Sequence, residues 1–198
     1  MIKKAEQTPT SVIERLQEQL RRPRQTAIEW LVIAHDDSRM LDQLRSALGG
    51  AGMAVVALPQ SLWGCECESI KSIADWAISE LNLKGILLVG HSQSGICENT
   101  VQVVTGGETE PASTTSPVNR VSSLFSRVQQ AQSRIASCER HFRRHLEQLI
   151  QMAGGPSNTS APEVELRGLF YRAESGVFCS CDVVSGSFRP LVSSSSVG

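Results

Sequence analysis

Two short segments place chemistry-bearing side chains directly behind apolar runs. His35-Asp36-Asp37-Ser38-Arg39 follows Ala27-Ile28-Glu29-Trp30-Leu31-Val32-Ile33-Ala34, and His91-Ser92-Gln93-Ser94-Gly95 follows Gly85-Ile86-Leu87-Leu88-Val89-Gly90. Runs of this kind suit strands buried on both faces. Each is followed by an imidazole, and the first adds a carboxylate and a guanidinium. Ligands in α/β sheets gather at the carboxyl ends of parallel strands. If the two strands are neighbours, His35, Asp37, Arg39 and His91 therefore converge in one pocket. Two imidazoles and a carboxylate are a donor set that zinc accepts. The bland alternative is a pair of helix caps, Asp37 or Ser38 at one helix and Ser92 or Ser94 at the other. Caps alone leave both histidines and Arg39 unexplained, which favours a site.

The elements that must position these residues are legible in the spacing of apolar side chains. Residues 11–22 predict an amphipathic helix with Ser11 as N-cap, Glu14 three residues on, and Val12, Ile13, Leu16 and Leu20 as its stripe; Pro23 stops it. Residues 27–34, 53–58 and 85–90 read as strands, and 38–48 and 69–81 as helices. This alternation predicts a mainly parallel α/β sheet of four or five strands flanked by helices. Residues 105–117, rich in Gly, Pro, Ser and Thr, read as an exposed loop, and a long helix follows over about 118–152. Its stripe is Val121, Val128, Ile135, Phe142 and Leu149, with Val118, Phe125 and Leu146 beside it. His141 and His145, one turn apart among Arg140, Arg143 and Arg144, read as part of a solvated basic face. Two β-type runs fill 164–192, and the tail 193–198 reads as frayed. The whole is expected to form a single domain.

Composition removes several classes of function. Lys plus Arg number 19 against 20 for Asp plus Glu, which leaves no cationic surplus for nucleic acid. No apolar run reaches the ~18 residues of a membrane span, and the first residues lack a signal peptide's apolar stretch. A cytoplasmic protein without membrane or nucleic-acid partners is expected. Six cysteines occur with no CxxC. The CxC pair Cys179 and Cys181 shares one strand face with Val177 and Val183, where thiols pack as small apolar groups; Cys65 and Cys67 lie in a loop.

At these residues the sequence resembles the β-class carbonic anhydrases. That family carries Cys-x-Asp-Ser-Arg after one strand and Gly-His-x-x-Cys-Gly after another, matched here by His35-Asp36-Asp37-Ser38-Arg39 and Gly90-His91-Ser92-Gln93-Ser94-Gly95. The lead-in Ser72-Ile73-Ala74-Asp75-Trp76-Ala77 is similar too. So are the closing Leu166-Arg167-Gly168-Leu169-Phe170-Tyr171 and Val183-Val184-Ser185-Gly186. The likeness spans about 28–98 and, more weakly, 164–192.

What it implies is a zinc site at His35, Asp37, His91 and Ser94, an Asp37–Arg39 dyad positioning hydroxide, CO2 or bicarbonate (or a small anion) as ligand, and a homodimer or dimer of dimers. The departures are chemical: the family's two ligand cysteines stand here as His35 and Ser94, so this is a divergent member. A serine hydroxyl does not replace a thiolate, being neutral and too short. Imidazole at 35 ligates but is neutral and longer. If Asp37 is recruited as a ligand, it no longer accepts a hydrogen bond from hydroxide. The family's Arg-Asn-Ala-Gly stretch reads Ala57-Leu58-Pro59-Gln60. These losses favour a degraded zinc site and a non-catalytic or very weak structural or regulatory homologue. The competing reading is an active hydratase using His35, Asp37 and His91 on zinc. A minor third takes Ser92 as a hydrolase nucleophile, although that elbow wants Gly where Ser94 stands and its acid and base would be Glu139 with His141 or His145.

Overall fold

Strand β1 (Trp30–His35) is buried along nearly its whole length and β3 (Gly85–His91) along all of it, as their unbroken apolar sequences require. A computed structural model describes residues 8–21, 27–48, 52–63, 67–93, 117–153 and 164–191. Among them six strands form one sheet in the order β2-β1-β3-β4-β5-β6. Strands β2 (Met53–Leu58), β1, β3 and β4 (Glu165–Arg172) run parallel, with Trp30 opposite both Met53 and Gly85. Strands β5 (Val177–Asp182) and β6 (Ser187–Pro190) add antiparallel hairpins. The sheet thus has six strands rather than four or five, because the chain beyond the Ser185–Gly186 turn folds back on β5; Gly186 there holds φ +67°, a conformation glycine adopts at little cost. After β2 the chain crosses β1 to lay β3 on its other side. The carboxyl ends of β1 and β3 therefore form the switch point where α/β sheets open a crevice.

Helices cover both faces. Alternation along β1 sends Val32 and Ala34 to one side, where they meet Met40, Leu41 and Leu44 of α2 (Ser38–Leu48). Leu31 and Ile33 face the other side with Ile70, Ile73, Ala74 and Ala77 of α3 (Glu68–Glu80) and Val12 of α1 (Pro9–Arg21). That layer also holds Cys138, Phe142, Leu146 and Leu149 of α4 (Pro117–Ala153). Two glycines let α4 approach the sheet: a Cβ on Gly90 would lie 2.4 Å from Phe142 Cδ2, and one on Gly168 2.4 Å from Leu146 Cδ2.

Several expectations shift in detail. Helix α1 starts at Pro9, with Thr8 as its cap: Thr8 Oγ1 accepts the Ser11 N–H (3.2 Å) and Ser11 Oγ accepts the Thr8 N–H (3.0 Å), a reciprocal box one turn ahead of the expected one. Val128, expected on the buried stripe of α4, is 54% exposed, whereas Phe142 and Leu149 of the same stripe are buried. Cys179 is fully buried and Cys181 half-buried, with burial pushing both thiols up, Cys181 to about 11. Ser94, Cys65, Cys97, residues 105–116 of the expected loop and the tail lie outside the described residues; Pro117 opens α4. Among the described residues no helix is long and apolar enough to cross a membrane.

Candidate functional site

The chain has four histidines, and all four line one cavity of about 10 Å³. His35 closes β1 and His91 closes β3, their ring centroids 4.6 Å apart and nearly perpendicular. His141 and His145 enter from α4, their centroids 4.2 Å apart. Trp63, one residue past a single 3-10 turn (Gln60–Leu62), stacks flat on His35 at 3.8 Å and stands 6.1 Å from His145. Trp63 is 1% exposed, and its indole N–H has no acceptor among the described residues. Gly90, Cys138, Phe142 and Phe170 complete the wall.

The expectation of a solvated basic face at His141 and His145 is overturned. His145 is fully buried and His141 half-buried, while Arg140 and Arg144 are exposed and Arg143 pairs with Glu147 (3.3 Å). The signal was available: His145 lies three residues after Phe142 and four before Leu149, on the same helical row.

Burial favours the neutral form of three of the four rings. It lowers His35 well below the ordinary imidazole range, and the charges that His91, His145 and His141 would carry lower it further. His91 is lowered by burial, against the opposing pull of the Asp37 and Glu174 carboxylates. His141 is also lowered by burial; its contact with the Trp63 carbonyl, Nε2 to O 3.5 Å, works the other way, and Arg144 lowers it. His91 Nδ1 accepts the Gln93 N–H (3.1 Å), which puts the proton of its neutral ring on Nε2.

The other expected residues are placed as follows. Asp37 caps α2, its Oδ1 accepting the Met40 N–H at 2.7 Å, so the structural role weighed for it is realised. Arg39 is exposed on the first turn of α2. Ser92 is fully buried: its hydroxyl donates to Glu174 Oε2 (2.5 Å) and accepts the Ala173 N–H (3.0 Å). Its carbonyl accepts the Cys138 thiol at 3.4 Å, and Arg134 meets Glu174 at 3.3 Å. Glu139 accepts two hydrogen bonds from Arg172 (3.2 and 2.8 Å). This placement argues against a hydrolase built on Ser92, whose hydroxyl is buried and whose candidate acid, Glu139, is bound to Arg172. Glu174 and Trp63 are the residues that sequence reasoning missed. The bond to Ser92 spans 82 positions, and no local pattern announces it.

A zinc centre of the thiolate kind does not fit these residues. The first thiolate position is an imidazole stacked on Trp63, and Asp37 commits an oxygen to a helix cap. Among the described residues no three His, Cys, Asp or Glu side chains, as they stand, surround a point where an ion could be held.

Comparison with known proteins gives a fold and no sequence family. No family model and no curated protein matches the chain. Solved structures do. The β-carbonic anhydrase CafA of the fungus Aspergillus fumigatus aligns at TM-score 0.53 and 16% identity over 88% of this chain and 85% of its own. The β-carbonic anhydrase CcaA aligns at 0.52 and 17% over 93% and 86%. A Coccomyxa β-carbonic anhydrase, solved with acetazolamide, aligns at 0.50 and 16% over 89% and 86%. The chain has a β-carbonic-anhydrase-like fold.

Proposed function

We propose that this chain is a carbonic-anhydrase-like protein that does not hydrate CO2, a homologue whose role is structural or regulatory. One observation carries this: where the fold opens its crevice, Trp63 and the histidines of α4 fill the space and leave about 10 Å³ among the described residues. That is room for the centre of about one water, too little for CO2 beside an activated oxygen. The chemistry of the donors supports the same conclusion. Neutral imidazole at 35 replaces an anionic thiolate, and Asp37 commits Oδ1 to the cap of α2. Changes confined to groups behind the ligands commonly cost about 10–100-fold, and here the ligands themselves have changed.

The test is CO2 hydration by the zinc-loaded chain beside a variant carrying His35→Cys and Ser94→Cys. The wild type is expected to run at the buffer rate, and the double variant to gain measurable turnover. Zinc-dependent turnover by the wild type, lost in Asp37→Asn, would instead establish an active enzyme working through His35, Asp37 and His91.

A further inference from the structure

The two edges of the sheet are built differently. Strand β6 closes one side with four residues, of which Arg189 and Pro190 are exposed. Shortness, a charge and a proline are devices that keep an edge from pairing with another chain. Strand β2 closes the other side with six residues in unbroken register on β1, and its sequence MAVVAL has no charge and no proline. The hydrogen bonds at its two ends fix which way its backbone groups point. The Trp30 N–H donates to the Gly52 carbonyl (3.0 Å) and the Asp36 N–H to the Leu58 carbonyl (2.8 Å). Alternate residues of a parallel strand turn their N–H and C=O to the same neighbour. Ala54, Val56 and Leu58 therefore address β1, while Met53, Val55 and Ala57 address the side on which no described strand pairs. Burial agrees, for the first three are buried and the other three half-buried. Beside Leu48 of α2 those three form a continuous, partly open apolar rim.

We infer that this edge pairs with the same edge of a second copy of the chain, β2 against β2 and antiparallel, about a two-fold axis through Val55. The sheet then runs on from one subunit into the other. Symmetry and charge select this occupant. The outward residues are evenly spaced about Val55, so the axis sets Val55 opposite the partner's Val55 and Met53 opposite the partner's Ala57. Opposed residues of this kind exchange both N–H···O bonds in an antiparallel ladder, which satisfies every outward group of the three. A two-fold interface must be self-complementary, and an uncharged strand meets its copy without repulsion. A foreign strand would satisfy the same backbone groups, but β2 offers it no charged or polar side chain for selection. The pairing does not depend on whether the crevice is catalytic.

The test is sedimentation velocity of the full-length, tag-free chain over a range of concentrations, beside Val55→Lys, Val55→Glu and an equimolar mixture of the two. Reversible self-association of the wild type is expected. Each variant alone should weaken it at least about tenfold, because like charges then stand directly opposite across the axis. The mixture should recover it as a one-to-one pair of the two variants. Val55 is half-buried at an edge, so a long charged side chain there can reach water, and circular dichroism checks that both variants fold. Should either fail, Val55→Pro removes only the outward N–H, a position where edge strands accept proline, and should likewise weaken association. A wild type that stays monomeric throughout overturns the proposal. So does an assembly unchanged in the variants, which would use another face, or a mixture that associates no better than its components. A monomeric wild type whose Val55 amide gains exchange protection only with an added alternating valine–threonine hexapeptide overturns it in favour of a foreign strand.

Discussion

His145 sits on the row that runs from Phe142 to Leu149, and its full burial follows from that position rather than from its polarity. The arginines around it disguise this, because a helix displays charge on one side while burying the other. Ser92 presents the reverse case, a residue that looks chemical and is structural. Its hydroxyl ties the β4–β5 turn, through Glu174 and the Ala173 amide, to the end of β3. Ser92→Ala should therefore lower stability by about 1–3 kcal/mol, the cost of stranding a charge-assisted bond, as read from the urea midpoint. The wild-type serine should stay unlabelled by a fluorophosphonate probe. Labelling lost in the alanine variant would restore the hydrolase reading. Asp37 was legible in the sequence as both cap and site candidate, and only coordinates could show the cap bond being made. Trp63 was not legible at all, since nothing local links it to a histidine 28 positions earlier.

The elements were read more completely than the site. Strands β2 to β5 and helices α2 to α4 fall within a residue or two of the positions that apolar spacing predicts, and β1 starts three residues later than expected, at Trp30. Strand β6 was missed because Ser187–Pro190 is short, with its last two residues exposed, and it depends on the hairpin for its pairing. The close seating of α4 was also invisible, since Gly90 and Gly168 announce no partner in sequence. Gly90→Ala places a methyl against the Phe142 ring, whose own position is fixed by Phe170 and Phe188 (centroids 5.7 and 6.3 Å). Overpacking of this kind should destabilise by about 1–3 kcal/mol, measured by chemical denaturation. Stability equal to wild type would mean that α4 is not seated as described.

For the molecule as a whole, gathering its four histidines in one interior couples the fold to pH. The folded values of His35, His91 and His141 are lowered, so the neutral rings are favoured in the fold while the unfolded chain takes up protons near its ordinary pKa of about 6.5. Stability of the metal-free chain should be level above that pH. It should fall as pH drops below about 6.5, continuing until the depressed folded values are reached. Glu174, lowered with the help of Ser92 and Arg134, adds a loss only in the acid range of carboxylates. Urea midpoints at pH 8, 6.5 and 5.5 check this, and a midpoint unchanged between 6.5 and 5.5 would mean that the rings are solvated. The same interior lines the crevice of the β-carbonic-anhydrase-like fold with aromatic and imidazole side chains that leave about 10 Å³ among them, the observation on which the non-catalytic proposal rests. Stopped-flow CO2 hydration by the zinc-loaded wild-type chain tests that most directly. Uptake at the uncatalysed buffer rate is the expected result, and saturable turnover that disappears on zinc removal would contradict it.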